Sequence, residues 1–151
     1  MHSAAALAGF IAAVALAALF GGVFQPGDWY EALRKPPLTP PNWVFGPAWS
    51  FLYLCNAFAA WLVWRARRGS TLPLALWAVQ LVLNALWSLL FFGLRHPGIS
   101  LLEIAVLLAL VVATTFAFFH VRWLAGALLV PYAMWLAFAA YLNAGVWYLN
   151  R

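Results

Sequence analysis

The sequence predicts an all-α membrane protein, a bundle of five transmembrane helices, and two observations lead to this fold class. The chain has 151 residues, of which 68% are hydrophobic and only 7% are charged. Soluble domains of this length do not have such a composition. Apolar runs recur along nearly the whole chain, and each reaches the roughly 20 residues that a helix needs to cross a bilayer. We therefore expect one domain, 1–151, with helices at about 3–24, 42–66, 70–94, 98–119 and 123–149.

The first apolar run, 3–24, is expected to be a helix rather than a cleaved secretory signal. Only His2 and the terminal amine precede it, whereas a signal peptide begins with Lys or Arg residues. Small residues occupy every fourth position of the run, and such a row lets another helix approach closely. The row predicts a packing seam, either within the chain or between two copies, and consists of Ala5, Gly9, Ala13, Ala17 and Gly21.

The segment 25–41 is rich in proline and is expected to form a stiff, lid-like loop. Proline fixes φ and lacks a backbone donor, so a long helix is excluded here. Asp28 to Leu33 can still form a short helix, with Asp28 as its N-cap. The loop either covers one end of the bundle or is a rigid linker, and composition does not separate the two.

Polar side chains of the third run share one helical face. Gln80, Asn84 and Trp87 follow the spacing i, i+4 and i+7. A carboxamide is costly in hydrocarbon without partners, so this face must turn toward other helices or toward a cavity. Hydrogen bonds between helices and contact with a ligand both remain open for Asn84.

Aromatic residues of the second and fifth runs repeat this arrangement. Trp49 and Tyr53 lie at i and i+4 in the second run, and Trp135 lies near the centre of the fifth. Pro131 is expected to kink the fifth helix, and Ala139, one turn after Trp135, leaves room beside the indole. Three helices thus each present an aromatic face, which predicts a hollow among them.

The fourth run contains an acid near its start. Ser100 and Glu103 match a capping box, in which the hydroxyl and the carboxylate accept hydrogen bonds from free amides at a helix N-terminus. Pro97 and Gly98, just before them, favour this interpretation. The alternative is an intramembrane carboxylate with a role in proton or cation binding.

Basic residues are scattered over both ends of the helices rather than gathered on one face. The net charge of +5 therefore predicts contact with anionic lipid headgroups and not with nucleic acid. Counting Lys and Arg leaves the orientation undecided at four on each side, although the cluster at 65–68 favours its own side as cytoplasmic. One side has Arg65, Arg67, Arg68 and Arg122, and the other has Arg34, Lys35, Arg95 and Arg151.

Conventional catalytic and metal-binding patterns do not occur. The three His residues lie at expected helix ends, and no Cys, His, Asp or Glu cluster has metal-ligand spacing. No Ser or Thr has a base at a spacing that would activate it. We expect no metal site and no intrinsic cofactor.

Five sequence blocks occur in order from the first loop to the last helix. They are Trp29-Tyr30-x-x-Leu33-x-Lys35-Pro36, Pro40-Pro41-x-Trp43-Val44-Phe45-Gly46-Pro47-x-Trp49, Gln80-Leu81-x-Leu83-Asn84-x-x-Trp87, Phe91-Phe92-Gly93 and Pro131-Tyr132-x-x-Trp135-x-x-Phe138-Ala139-x-x-Leu142-Asn143. In order and spacing these blocks resemble the TspO/MBR family of tryptophan-rich sensory proteins and translocator proteins, which includes the peripheral benzodiazepine receptors.

The resemblance implies five transmembrane helices, commonly in a homodimer, with the first loop closing over a pocket. That pocket would bind porphyrins such as protoporphyrin IX and haem, and family members also bind sterols and benzodiazepine-site ligands. The chain departs from the family pattern in two ways: Leu38 stands where many members have Trp, and Ala144 and Tyr148 stand where the sterol-recognition pattern of animal members has Tyr and Arg. The pocket residues that the resemblance assigns are Tyr30, Pro41, Trp49, Tyr53, Asn84, Trp87, Trp135, Ala139 and Leu142.

Our leading hypothesis is a membrane protein that binds a porphyrin as its ligand, in porphyrin sensing, transport or turnover. The macrocycle would lie among the three indoles, with its carboxylates paired to Arg34 or Lys35. The resemblance also suggests light-dependent porphyrin breakdown through Trp49 and Trp135, or a sterol or lipid carrier. We expect an integral multi-pass protein of a bacterial membrane, and the sequence does not say which membrane.

Overall fold

The architecture is that of a computed structural model that describes residues 2–66 and 70–151, and its long helices confirm the all-α bundle. Arg67 and Arg68, part of the basic cluster considered above, lie outside the described residues. A short helix, α2, lies in the loop, and a 3-10 turn, Asn42–Val44, precedes α3. The helices are α1 (His2–Val23), α2 (Asp28–Ala32), α3 (Phe45–Ala66), α4 (Leu72–Ser88, continued by a π-helical turn Leu89–Gly93), α5 (Pro97–Val121) and α6 (Trp123–Leu149).

Four of the helices in the described ranges are long and apolar enough to cross a membrane: Ser3–Val23, Leu72–Gly93, Pro97–Val121 and Trp123–Leu149. The contacts of α3, which has 22 residues, show that it runs beside them from one end of the bundle to the other. Its first residue follows the loop, whereas Trp61 near its end donates a 2.9 Å hydrogen bond to the Ser3 carbonyl at the start of α1. Helix α3 is less apolar than the other long helices, and one of its polar residues, Asn56, is buried in the bundle interior.

Helix α1 packs against α3 and α4 but leaves much of its surface to lipid. Within its row of small residues, Ala17 is buried and Gly21 lies against Ser88. Gly9 has nothing within 4 Å of where a Cβ would stand. Part of the row therefore packs inside the chain, and the expected homodimer stays a prediction.

A chain of hydrogen bonds joins α3, α4 and α6 in the bundle interior. Tyr53 donates to Asn84 (2.6 Å), Asn84 donates to the Tyr132 hydroxyl (2.8 Å), and Tyr132 donates to Gln80 (2.9 Å). Gln80 and the Trp77 indole both donate to Asn56. These six side chains, here called the polar network, supply the partners that carboxamides need in hydrocarbon.

Two expectations about helix starts are wrong. The N-cap of α2 is Gly27, and Asp28 is the first residue of the helix instead of its cap. Helix α5 begins at Pro97, a residue well suited to the first helical position, so Ser100 lies inside the first turn and donates to the Pro97 carbonyl (3.0 Å). Glu103 lies further into the helix, and its two buried carboxyl oxygens have no hydrogen-bond partner, so no capping box forms.

Candidate functional site

A cavity of about 520 Å³ lies at the end of the bundle that the loop covers. Every long helix contributes to its wall, and the loop adds Gln25, Pro26 and Tyr30. Its volume lies in the range of about 300 to 1,000 Å³ that is typical of small-molecule sites. Helix α5 contributes Ile104 and Leu107, which the sequence analysis did not identify because nothing distinguishes them from other apolar residues of that run.

Most of the pocket residues that the sequence assigns line this one cavity: Tyr30, Trp49, Tyr53, Asn84, Trp87, Trp135, Ala139 and Leu142. Pro41 is not among the lining residues. It precedes the 3-10 turn, and its neighbour Asn42 lines the cavity in its place. The exact residue of a loop that reaches a site depends on the turn it adopts, and the sequence blocks do not define that turn.

Trp49 and Trp135 form an edge-to-face pair on one side of the cavity, with ring centroids 6.5 Å apart and planes at 87°. Tyr53 lies beside Trp49 at 5.6 Å. Trp87 forms a separate wall and stacks on Phe91, with centroids 5.0 Å apart and planes at 18°. The π-helical turn that contains Phe91 positions it beneath Tyr30 and Trp87. The aromatic rings thus cover two sides of the cavity with apolar, polarisable surface.

Several polar groups that line the cavity are already paired with one another. The Trp87 indole donates to Asn143 (3.0 Å), and the Asn143 amide donates to the Pro97 carbonyl (2.7 Å). Asn84 is held by Tyr53 and Tyr132. The buried Trp135 Nε1 has no acceptor. No cluster of three or more His, Cys, Asp and Glu side chains occurs in the described part of the chain.

Tyr30 brings the loop onto the cavity. Its side chain is only 6% exposed, and its ring meets Phe91 and Phe92 edge-on at 6.1 and 5.5 Å. Burial raises the pKa of the Tyr30 phenol, so the hydroxyl is neutral at physiological pH. The Lys35 ammonium lies 4.7 Å from the centre of the Tyr30 ring and donates to the Glu31 and Leu33 carbonyls.

Arg34 and Lys35, the residues expected to pair with ligand carboxylates, are not among those that line the cavity. Lys35 is separated from it by the Tyr30 ring. The backbone of Arg34 is held by Asn150, whose side chain accepts from the Arg34 amide (3.0 Å) and donates to its carbonyl (2.9 Å). Carboxylate pairing by these two residues therefore stays a prediction.

The loop is fastened to the second half of α6 and to the residue that follows it at three places, here called the latch: Asn150 on Arg34, Tyr141 on Pro37 and Gly145 on Pro36. Tyr141 donates to the Pro37 carbonyl (2.9 Å), and Pro36 packs so closely on Gly145 that a Cβ there would come within 2.5 Å of the proline ring. Sequence reasoning missed the latch, because its partners are more than 100 residues apart and carry no local signal.

The TspO/MBR family model matches residues 10–149 of the chain. Protein CrtK of Rhodobacter capsulatus is 41% identical over 144 residues, which cover 93% of this chain and 90% of that protein. The human translocator protein is 40% identical over 150 residues, with 95% and 89% covered. A tryptophan-rich sensory protein of Cereibacter sphaeroides is 40% identical over 141 residues, with 93% and 89% covered.

Proposed function

The chain belongs to the TspO/MBR family of membrane proteins, and on that premise we propose that it binds a tetrapyrrole, protoporphyrin IX or haem, in the cavity beneath the loop. The observation that carries the proposal is the meeting of Trp49, Trp87 and Trp135, from three different helices, around one space of about 520 Å³. A flat macrocycle buries a large apolar face, and rings on two sides of the space supply matching contacts.

The lining residues include no His or Cys. Of the residue types that ligate haem iron, the wall offers only the Tyr30 and Tyr53 phenols, and the Tyr53 hydroxyl already donates to Asn84. Binding would therefore depend mainly on contacts with the ring system. We expect free-base protoporphyrin IX to bind about as tightly as haem.

The carboxylates of a porphyrin would point toward the loop, where the lining residues Gln25, Pro26 and Asn42 are exposed. Lys35 contacts a lining residue at this end of the cavity, because its ammonium lies over the Tyr30 ring. Moving this flexible side chain past Tyr30 would let it pair with a carboxylate. Arg34 offers a second, bidentate partner once its side chain turns the same way.

Intrinsic fluorescence tests the proposal, since protoporphyrin IX quenches nearby indoles. In detergent, Trp135→Ala and Trp49→Ala should each weaken binding about tenfold or more, or roughly 1.4 kcal/mol, through loss of aromatic surface. Trp123→Ala is the matched control, because Trp123 is exposed and lies outside the cavity lining. Unchanged affinity in both cavity variants would rule out this site.

A second candidate function is light-dependent oxidative breakdown of the bound porphyrin. The edge-to-face contact of Trp49 and Trp135 favours it, because an excited ring in the cavity would have two indoles within reach as electron donors, with oxygen as the oxidant. Aerobic illumination of the complex should then bleach the porphyrin absorbance. Bleaching at the wild-type rate in a protein with Phe at both positions would leave binding as the function.

A further inference from the structure

A second apolar hollow, of about 360 Å³, lies on the outside of the bundle between α3 and α6, and we propose that it is a membrane-facing subsite for flat apolar ligands on their way between the bilayer and the cavity. We call it the lateral groove. Three residues of α3 and four of α6 line it, and all are apolar apart from the indole nitrogen of Trp135. The inference rests on the proposed function and adds a route to it.

The groove opens toward lipid rather than toward water. Phe51 and Met134, on its two sides, are 59% and 68% exposed, and both belong to membrane-crossing parts of the bundle. The macrocycle of a porphyrin is apolar and partitions into the bilayer, with its carboxylates at the headgroup level, so its reservoir is on this side of the protein. The aromatic rings of Phe51, Trp135 and Phe138 offer such a ligand flat surfaces to contact.

Trp135 separates the groove from the cavity, because it alone of the described lining residues borders both spaces. Its ring is held by aromatic neighbours, Phe45 at 6.0 Å, Trp49 at 6.5 Å and Phe138 at 5.8 Å. Contacts of this kind contribute about 0.5 to 1.5 kcal/mol each. No hydrogen bond fixes the ring, since the buried Nε1 has no acceptor.

Another indole of the cavity wall, Trp87, is fixed by a hydrogen bond. Trp87 donates to Asn143, which itself donates to Pro97, so that turning Trp87 would break a hydrogen bond. Turning Trp135 breaks none. Pro131, one turn before Trp135, also leaves the carbonyl of Ala127 without its helical amide donor, which makes α6 easier to deform at this point.

The route under the loop is closed more firmly. Lifting the loop requires breaking both hydrogen bonds between Asn150 and Arg34, the bond from Tyr141 to Pro37 and the packing of Pro36 on Gly145. The lateral route breaks no hydrogen bond of the Trp135 side chain and requires displacement of its ring from its aromatic neighbours. An apolar ligand that already lies in the membrane therefore enters through the groove.

The test is kinetic, because blocking a route slows binding and release together and leaves the equilibrium unchanged. Ala48→Phe fills the groove from α3, and Met134→Trp fills it from α6 without touching the cavity. With the protein in lipid nanodiscs and protoporphyrin IX supplied in vesicles, stopped-flow quenching should show both rate constants reduced about tenfold with an unchanged Kd. Ala137→Phe, on the lipid-facing surface of α6 and outside both linings, is the matched control and should keep wild-type rates.

Asn150→Ala, which loosens the latch, separates the two routes. Unchanged rates in this variant are expected, and acceleration of both rate constants would show that ligand passes under the loop and overturn the proposal. Wild-type rates in both groove variants would overturn the proposal as well. This holds even if the two substitutions displace a lipid acyl chain that co-purifies in the lateral groove, because the groove would then bind lipid and not the porphyrin. If wild-type protein shows no quenching by protoporphyrin IX, the failure belongs to the proposed function instead.

Discussion

Glu103 places two carboxyl oxygens inside the bundle, where neither meets a hydrogen-bond donor. A polar group in this position loses its hydration without compensation, at a cost of about 1 to 3 kcal/mol. The contrast with Asn56 is direct, because the Asn56 oxygen accepts from both Trp77 and Gln80. We therefore expect these two polar residues of the bundle to have opposite effects on stability.

Replacing the acid should therefore stabilise the protein. We expect Glu103→Met to raise the unfolding temperature in detergent by a few degrees, in keeping with removal of an unpartnered group worth about 1 to 3 kcal/mol. Asn56→Leu is the comparison and should lower it, because Trp77 and Gln80 would lose their acceptor. Thermal unfolding followed by near-UV circular dichroism measures both, and a lower midpoint for Glu103→Met would mean that the carboxyl has a stabilising partner.

Single residues of the cavity could be identified from sequence where depth and helical spacing determine them. Asn84 is a carboxamide that hydrocarbon cannot solvate, so it had to face the interior, and Trp135 lies near the middle of a long apolar run, too deep for the aromatic belt at the membrane interface. Pro41 and Lys35 lie in a loop, where position depends on distant contacts. For these two residues the sequence indicated the kind of contact each could make with a ligand, but it did not indicate whether the folded loop places them at the cavity.

At the scale of whole elements, the loop and α6 behave as one unit. The latch joins 34–37 to two positions in the second half of α6 and to its C-cap, Asn150, and Pro36 packs tightly on Gly145. Glycine is needed there because of space, since a side chain would meet Pro36. Tyr30, on the inner side of the loop, then remains in place over the cavity.

Gly145→Ala should push the loop away from α6. A Cβ at this position would lie 2.5 Å from Pro36, whereas Gly9 on α1 has open space around it, so Gly9→Ala is a matched control with the same gain of up to about 1 kcal/mol in helix propensity. Limited proteolysis within 25–41 should be several-fold faster in Gly145→Ala and unchanged in Gly9→Ala. Equal cleavage rates in the two variants would show that the contact with Pro36 does not hold the loop.

Hydropathy predicted where the long helices lie, but it did not predict where each helix begins or where its backbone geometry changes. Length and apolar composition located the long helices of the described chain, since crossing a bilayer leaves few other options. The start of α5 at Pro97 and the π-helical turn at Leu89–Gly93 depend on local backbone geometry that apolar runs do not encode. That turn decides which face Phe91 presents to Trp87.

For the whole molecule, two contacts between distant segments define how the chain crosses the membrane. Asn150 at the end of α6 is bonded to Arg34 in the loop, and Trp61 near the end of α3 is bonded to Ser3 at the start of α1. The loop and the end of α6 therefore share one side, and the start of α1 shares the other side with the end of α3. This arrangement corresponds to five crossings, α3 included.

Cysteine labelling tests that topology. With Cys55 replaced by Ala, Leu38→Cys and Arg151→Cys should react with a membrane-impermeant maleimide from the same side, and Thr71→Cys only from the opposite side. All three positions are exposed. Labelling of Leu38→Cys and Thr71→Cys from one side would mean that α3 does not cross the bilayer.

Because every long helix supplies part of the cavity wall, no smaller piece of the bundle contains a workable version of it. Removing α1 takes away Ala18 and Gly21, and removing α5 takes away Ile104 and Leu107, so that either loss leaves the wall of the cavity incomplete. Progressive truncation should consequently abolish ligand retention in a single step, whichever end is shortened. Binding measurements on truncated chains would then show every helix to be essential. Only point substitutions could rank how much each helix contributes to ligand binding.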